Sequence, residues 1–225
     1  MKINRAHFQE NGYVVVSNLI EYEEVNLLLT DYKLMVSGKI PMKGFDGLVK
    51  TVDKQNNKVV QIANPSEQYA GWRQYKYFQR SLEVAKLLMG DDMEYKYDQI
   101  IYKPPYNRAE TAWHQDGGYW EAGTAKPKNA VTCWLALTPA FLENGGMKFI
   151  PGSHLGELKV HHGLGSEKGI NDSLGILGVD ESTAVSHLLF GGDASFHHSR
   201  ILHGTNANST QVPRCALITH FESRS

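Results

Sequence analysis

Two hydrophobic rhythms divide this chain near residue 92. Before it, apolar side chains recur at three- and four-residue spacing; after it, they come in short runs separated by turn residues. Ile3–Glu10 predicts a short helix stopped by Asn11-Gly12, followed by a β-branched strand at Tyr13–Val16 and a turn opening at Asn18. Glu21–Val36 carries apolar residues at 25, 28, 29, 32, 35 and 36 and predicts a helix ending at Ser37-Gly38. Residues 39–66, rich in Gly, Pro, Lys and Asn, predict an irregular region with the composition of a lid and a weak strand at Lys58–Ile62. Tyr69–Met89 places aromatics and leucines at helical intervals and predicts a further helix, ended by Gly90-Asp91-Asp92.

From Met93 the pattern predicts strands at Glu94–Lys103, Ala130–Thr138, Met147–Ile150, Ser186–Phe190, Ala194–His203 and Arg214–Phe221, with breaks at Pro104-Pro105, Asn144-Gly145-Gly146 and Pro151-Gly152. Helices first and short strands afterwards suggest a mainly β fold with buttressing α-helices, a double-sheet jelly roll of cupin type. No repeat, low-complexity tract or linker interrupts the chain. The expectation is one domain over residues 1–225, with helices over about 1–92 and a jelly-roll core over about 93–222.

Composition narrows the class. Of 225 residues, 41% are hydrophobic and 21% charged, ordinary values for a globular protein. A net charge of −1 argues against nucleic acid or an anionic membrane as partner. No apolar run approaches the ~18 residues needed to span a bilayer, and the N-terminal residues lack the apolar core of a signal peptide. Cys133 and Cys215 each sit inside a strand-like run and read as reduced buried thiols of a cytoplasmic protein. The expected partner is a small-molecule substrate, and the expected state a monomer or small homo-oligomer.

The chemistry centres on Trp113-His114-Gln115-Asp116-Gly117-Gly118-Tyr119-Trp120. On a strand, His114 and Asp116 would face the same way, because side chains alternate. A second histidine would complete a two-His, one-carboxylate triad, which caps one face of Fe(II) and leaves the opposite positions open. His203 is the candidate. It lies eleven residues before Arg214, with Gly, Asn, Ser and Pro between them, a spacing that suits a hairpin aiming both side chains into one cavity. An arginine beside such a site can hold a carboxylate bidentately, as the far end of an iron-chelating 2-oxoglutarate would require. The pairs His161-His162 and His197-His198 are weaker candidates, since adjacent strand residues point to opposite faces. His154 reads as a turn hydrogen-bonder and Asp193, after Gly191-Gly192, as a turn carboxylate.

The ordered set His114-x-Asp116, His203 within Leu-His-Gly-Thr-Asn, and Arg214 resembles the phytanoyl-CoA dioxygenase family. Tyr102-Lys103-Pro104-Pro105, the strand Val131–Leu137, Asn144-Gly145-Gly146-Met147 and Ile150-Pro151-Gly152-Ser153-His154 support the likeness, which covers roughly residues 8–222. The resemblance implies a double-stranded β-helix, with Fe(II), 2-oxoglutarate and O2 as cofactor and cosubstrates. It implies iron ligation by His114, Asp116 and His203, and a cosubstrate held by Arg214, with Thr132 and Gln99 as further donors by family position. Succinate and CO2 would be the coproducts, and the substrate a small metabolite hydroxylated at an unactivated C–H bond. The related halogenases lack the carboxylate, and Asp116 is present. Tyr119 and Trp120 are expected as an aromatic wall beside the substrate, with His197 as a further contact. Two other uses of the same pocket remain open at this point: desaturation, epoxidation or ring formation, and a non-catalytic cupin-like binding module.

Overall fold

The computed structural model describes residues 3–42, 59–120, 129–163 and 174–224. In chain order its elements are α1 (Arg5–Asn11), β1 (Tyr13–Val16), α2 (Tyr22–Val36), β2 (Val60–Ala63), α3 (Pro65–Gln68), α4 (Lys76–Met89), β3 (Met93–Lys103), β4 (Thr111–His114), α5 (Gly117–Trp120), β5 (Ala130–Ala136), β6 (Met147–Phe149), β7 (His162–Gly163), β8 (Leu174–Gly175), β9 (Val185–Ser186), β10 (Ala194–His198), β11 (His203–Thr205) and β12 (Arg214–Ser223). A large antiparallel sheet has the order β1-β10-β5-β12-β3-β2, and a smaller one the order β4-β11-β6-β9. The two sheets form the expected double-sheet jelly roll.

The large sheet is covered on both faces, and the sequence shows why. Every residue of β5 is buried. Cys133 and Leu135 pack outward with Leu28, Tyr32, Trp72, Tyr77 and Val84 of the helical layer, while Trp134 and Ala136 pack inward with Met147 and Phe149 of the small sheet. A strand buried twice over loses the apolar–polar alternation and reads as a continuous apolar run. The helices carry one apolar face each. In α2 it is Val25, Leu28, Tyr32 and Met35. Helix α1 is capped by the Asn4 side chain, which accepts from the His7 N–H at 3.0 Å, and by Gly12 at φ 79°.

Four expected elements differ. The helix over Tyr69–Met89 begins only at Lys76 and is preceded by α3 and a short 3-10 turn at Trp72–Gln74. The competing force is Asp98 on β3, fully buried, which accepts from the Trp72 indole N–H (3.0 Å), Ser66 Oγ (2.8 Å) and Tyr95 OH (2.7 Å) and pulls this segment out of helical register. Ser186–Phe190 is a two-residue strand followed by a lone bridge, Ala140 to Leu189. Asp193 bends it by accepting from the Asn18 and Phe190 N–H groups, the turn role expected of it. The strand over Ala194–His203 is two strands in different sheets. Its chain turns at Ser199–Leu202, where Ser199 N–H bonds Ala130 O and Ile201 N–H bonds His198 O. His203 and Arg214 are therefore not on paired strands: β11 pairs with β4 and β6, and β12 with β3 and β5. The lid expected over 39–66 falls largely outside the described residues.

Register in the small sheet decides where the chemistry sits. His203 is the direct cross-strand partner of His114. Gly204 permits that approach, since a Cβ there would lie 2.9 Å from the Thr111 carbonyl oxygen. Backbone does not yield as a flexible side chain would, so Gly204→Ala must push β11 away from β4. We predict a loss of about 1–3 kcal/mol in urea unfolding, accompanied by weaker divalent-metal binding. Unchanged stability would show that the strands have room to spare.

Candidate metal centre

The triad assembles from two strands and a turn. His114 is the last residue of β4 and His203 the first of β11, and their rings lie 4.1 Å apart. Each ring places Nδ1 against a carbonyl two residues back on its own chain: Ala112 O at 2.8 Å for His114, Ile201 O at 3.0 Å for His203. A carbonyl accepts only, so both Nδ1 atoms carry a hydrogen, and both Nε2 atoms face Asp116. Asp116 is not on the strand as expected. The strand stops at His114, and Asp116 lies in the turn that opens α5, where Tyr119 N–H bonds its carbonyl. Its Oδ1 nevertheless stands 3.6 Å from His114 Nε2 and 3.5 Å from His203 Nε2. One ligand atom from each residue falls within 4.8 Å of the others.

Protonation states favour a cation. Burial, and then the neighbouring His203, pull His114 below the ordinary imidazole value. Burial would raise the Asp116 carboxyl, but His203, followed by contacts from His114, His197 and His203, outweighs it and holds the group well below the usual carboxylate range. A neutral imidazole and an ionised carboxylate are the forms that donate electron pairs to a metal.

The other end of the same cavity is cationic. The cavity, about 380 Å³, reaches from the triad to Arg214. Arg214 is 2% exposed, and burial lowers its pKa to about 10. Its Nη1 makes one long bond to Ile101 O at 3.5 Å, its Cζ lies 5.5 Å over the Trp134 ring, and its Nε has no hydrogen-bond partner among the described residues. Its cross-strand neighbour Lys103 is also fully buried, held well below its ordinary pKa by burial and then by Arg214. Lys103 Nζ donates to Thr205 Oγ1 (2.9 Å) and Asn206 O (2.7 Å). A buried guanidinium with an unmet N–H in the cavity wall is complementary to an anion.

The remaining expected residues gather around this cavity. Gln99, Thr132, Tyr119 and His197 all line it. The single hydroxyl hydrogen of Thr132 points to Asp116 Oδ2 at 2.6 Å, so its partner is a candidate ligand and not the cosubstrate. Tyr119 is 44% exposed with its ring 5.7 Å from His114; the Trp120 side chain lies outside the described residues. His197 faces the cavity with Nε2 3.4 Å from Asp116 Oδ2, while His198 faces away and accepts from the Arg200 N–H, as alternation requires. His161 accepts from the Gln115 N–H, and His162 is exposed. His154 bonds Gln9 O on α1 and not its own turn. Sequence reasoning missed Lys103, Thr205 and His220. Strand alternation could have found His220, six residues beyond Arg214 on one strand face, and likewise Thr205, two beyond His203. Nothing local marks Lys103 as buried.

A family model described as phytanoyl-CoA dioxygenase (PhyH) matches residues 8–216. The peroxisomal phytanoyl-CoA dioxygenase of Homo sapiens is 26% identical over 230 residues, which cover 97% of this chain and 67% of that protein. The ectoine dioxygenase of Stutzerimonas stutzeri (strain A1501) is 24% identical over 237 residues, covering 93% of this chain and 72% of that protein. In structure the chain is similar to EvdO2 from Micromonospora carbonacea var. aurantiaca, solved as a complex with 2-oxoglutarate, with a TM-score of 0.79, 24% identity, and coverage of 97% of this chain and 89% of that one.

Gln115, between the two triad members of its own segment, points the other way and is fully buried. Its amide donates to Arg200 O and its oxygen accepts from the Lys159 N–H at 2.8 Å, tying the turn before His203 to the loop over 157–161. Gln115→Ala would strand both backbone groups, at about 1–3 kcal/mol each where water cannot reach them. Urea unfolding should register a loss of about 2–6 kcal/mol for the two groups together, with metal affinity reduced because the approach to His203 loosens. A loss under about 0.5 kcal/mol, the range of an ordinary surface change, would show the clamp to be idle.

Proposed function

Because the chain belongs to the phytanoyl-CoA dioxygenase family and is an iron- and 2-oxoglutarate-dependent dioxygenase, we propose that His114, Asp116 and His203 hold its iron, that Arg214 anchors its cosubstrate, and that a small metabolite is hydroxylated between them. The observation that carries this reading is the pairing, in one cavity, of a buried His-Asp-His set with a buried arginine whose Nε has no partner. Two imidazoles and one carboxylate on a single face suit Fe(II) with open positions. A structural zinc site would call for four closed ligands, often including thiolates, and Cys133 and Cys215 are elsewhere, buried and unpaired.

Bound iron supplies oxidation of a C–H bond coupled to decarboxylation of 2-oxoglutarate, yielding succinate and CO2. The chain supplies position and dryness. Arg214 offers its planar fork to the distal carboxylate of the cosubstrate. Thr205 helps: its oxygen accepts from Lys103, which leaves its own hydroxyl hydrogen for an acceptor in the cavity. Trp134, Ile101 and Ile218 provide apolar walls between the two ends and keep water from the reacting centre. No side chain is needed as nucleophile or general base. The partly exposed Tyr119 lines the cavity and suits a substrate contact, and a volume of about 380 Å³, shared with the cosubstrate, favours a small molecule. No helix among the described residues is long and apolar enough to cross a membrane. The two free, buried thiols favour a reducing, cytoplasmic setting.

Anaerobic titration of 2-oxoglutarate with Fe(II) present tests the anchor. Losing one partner of a buried charged pair costs about 2–5 kcal/mol, so Arg214→Ala should weaken 2-oxoglutarate roughly 30- to 4,000-fold at ~1.4 kcal/mol per decade. Arg214→Lys should recover part of this, since an ammonium cannot reproduce the fork. Equal affinities would remove 2-oxoglutarate from this pocket. For the ligands, His114→Ala, Asp116→Ala and His203→Ala should each abolish iron-dependent succinate release while His198→Ala and His161→Ala leave it near wild type. Normal turnover by His203→Ala would overturn the ligand set, and no succinate release from the wild-type protein with any substrate would favour a binding module.

A further inference from the structure

Asp116 uses its two oxygens differently. Oδ1 faces the Nε2 atoms of His114 and His203. Oδ2 faces the large sheet, accepting from Thr132 Oγ1 at 2.6 Å with His197 Nε2 at 3.4 Å. Thr132 is the cross-strand neighbour of His197 on one side and of His220 on the other, so the three form a row across the inner face of β10, β5 and β12.

The row continues as a chain whose polarity is fixed by its last member. A carboxylate only accepts, so the Thr132 hydrogen goes to Asp116. The Thr132 oxygen lies 2.9 Å from His220 Nδ1 and must therefore accept, which puts the hydrogen on Nδ1. His220 Nε2 lies 3.1 Å from Gln99 Nε2, a donor only, so Nε2 is the bare nitrogen of a neutral ring. Gln99 Oε1 in turn accepts from Gln61 Nε2 at 2.6 Å. Each donor points toward Asp116. Burial agrees, holding the His220 pKa down at about 4, and the ring stacks on Tyr97 at 4.2 Å.

We propose that His220 is a positioning residue of the metal centre: as a neutral Nδ1–H imidazole supported by Gln99 and Gln61, it orients the Thr132 hydroxyl onto Asp116 Oδ2 and so reserves Oδ1 for the metal. The inference rests on the reading of Asp116 as a ligand. It also gives Gln99, expected as a cosubstrate donor, a different task, since its carbonyl and one amide hydrogen are already committed to the chain. Groups that orient a metal-binding side chain from outside the coordination sphere typically contribute about 10- to 100-fold in metal affinity.

The test has two arms. Nitrogen-15 NMR of the histidine-labelled, Zn(II)-loaded protein should show His220 as the Nδ1–H tautomer; an Nε2–H tautomer or an imidazolium at neutral pH would overturn the chain's direction. Anaerobic Fe(II) titration should find His220→Leu weakened by about 10- to 100-fold, and His220→Asn, whose amide N–H can stand where Nδ1–H stood, within about threefold of wild type. His220→Asn as weak as His220→Leu, with both folded by near-UV circular dichroism, would leave only a packing role. In a Thr132→Val background His220→Leu should cost little more, and full additivity would show that the two act separately. Asp116→Ala separates the premises. If it binds Fe(II) normally, the ligand reading fails; if it loses Fe(II) while His220→Leu keeps it, only the relay fails.

Discussion

Asp116 stands between the two sheets at 8% exposure, and its charge has to be met from both. Removing a carboxylate from water costs several kcal/mol even after relaxation, so it persists only where neighbours supply hydrogen bonds or opposite charge. The small sheet brings His114 and His203 to Oδ1, and the large sheet brings Thr132 to Oδ2. The sandwich thus closes around one anion. Its spacing is set by side chains such as Phe149, Trp134 and Tyr13 in the inter-sheet core.

Arg214 and Lys103 form the opposite pole. Their strands pair directly, so neither can move away from the other, and burial lowers the pKa of both. Lys103 is satisfied within the protein by Thr205 and Asn206, whereas Arg214 keeps an unmet Nε. A buried donor without a partner is destabilising by about 1–3 kcal/mol, a cost that a bound carboxylate would remove. One cavity wall consequently carries both a carboxylate with histidines, suited to a cation, and a guanidinium, suited to an anion, with Ile101, Trp134 and Ile218 as its apolar parts. A molecule with a chelating acid at one end and a carboxylate at the other fits that polarity.

The helical layer backs the site from the outer face of the large sheet, with the buried Tyr32 of α2 close enough to Arg214 to bear on its charge. The layer's apolar residues fill the outer face of the large sheet, and Asp98 ties Trp72 and Ser66 to β3, the strand that also carries Tyr97, Gln99 and Ile101 into the cavity. One strand therefore binds the buttress with one face and lines the cavity with the other. Disturbing the Asp98 network would reach the site through β3.

Much of this could be read from the sequence alone. The period-two and period-3.6 patterns placed most of the segments they predicted to within a residue or two, because they report which face of a segment is buried. His114, Asp116, His203 and Arg214 stood out through the His-x-Asp alternation, the eleven-residue spacing from His203 to Arg214 and the resemblance of the ordered set to a known family. What stayed hidden depended on partners far along the chain. Ala194–His203 looked like one strand, yet it divides between two sheets because Ser199 and Arg200 bond Ala130 and Gln115 across the molecule. Tyr69–Met89 looked like one helix until Trp72 met Asp98, 26 residues away. Thr132 revealed its role only against Asp116 and His220, 16 and 88 residues distant. Local periodicity reports whether a side chain is buried; which group it meets there is decided by strand pairing, and only the tertiary structure supplies that.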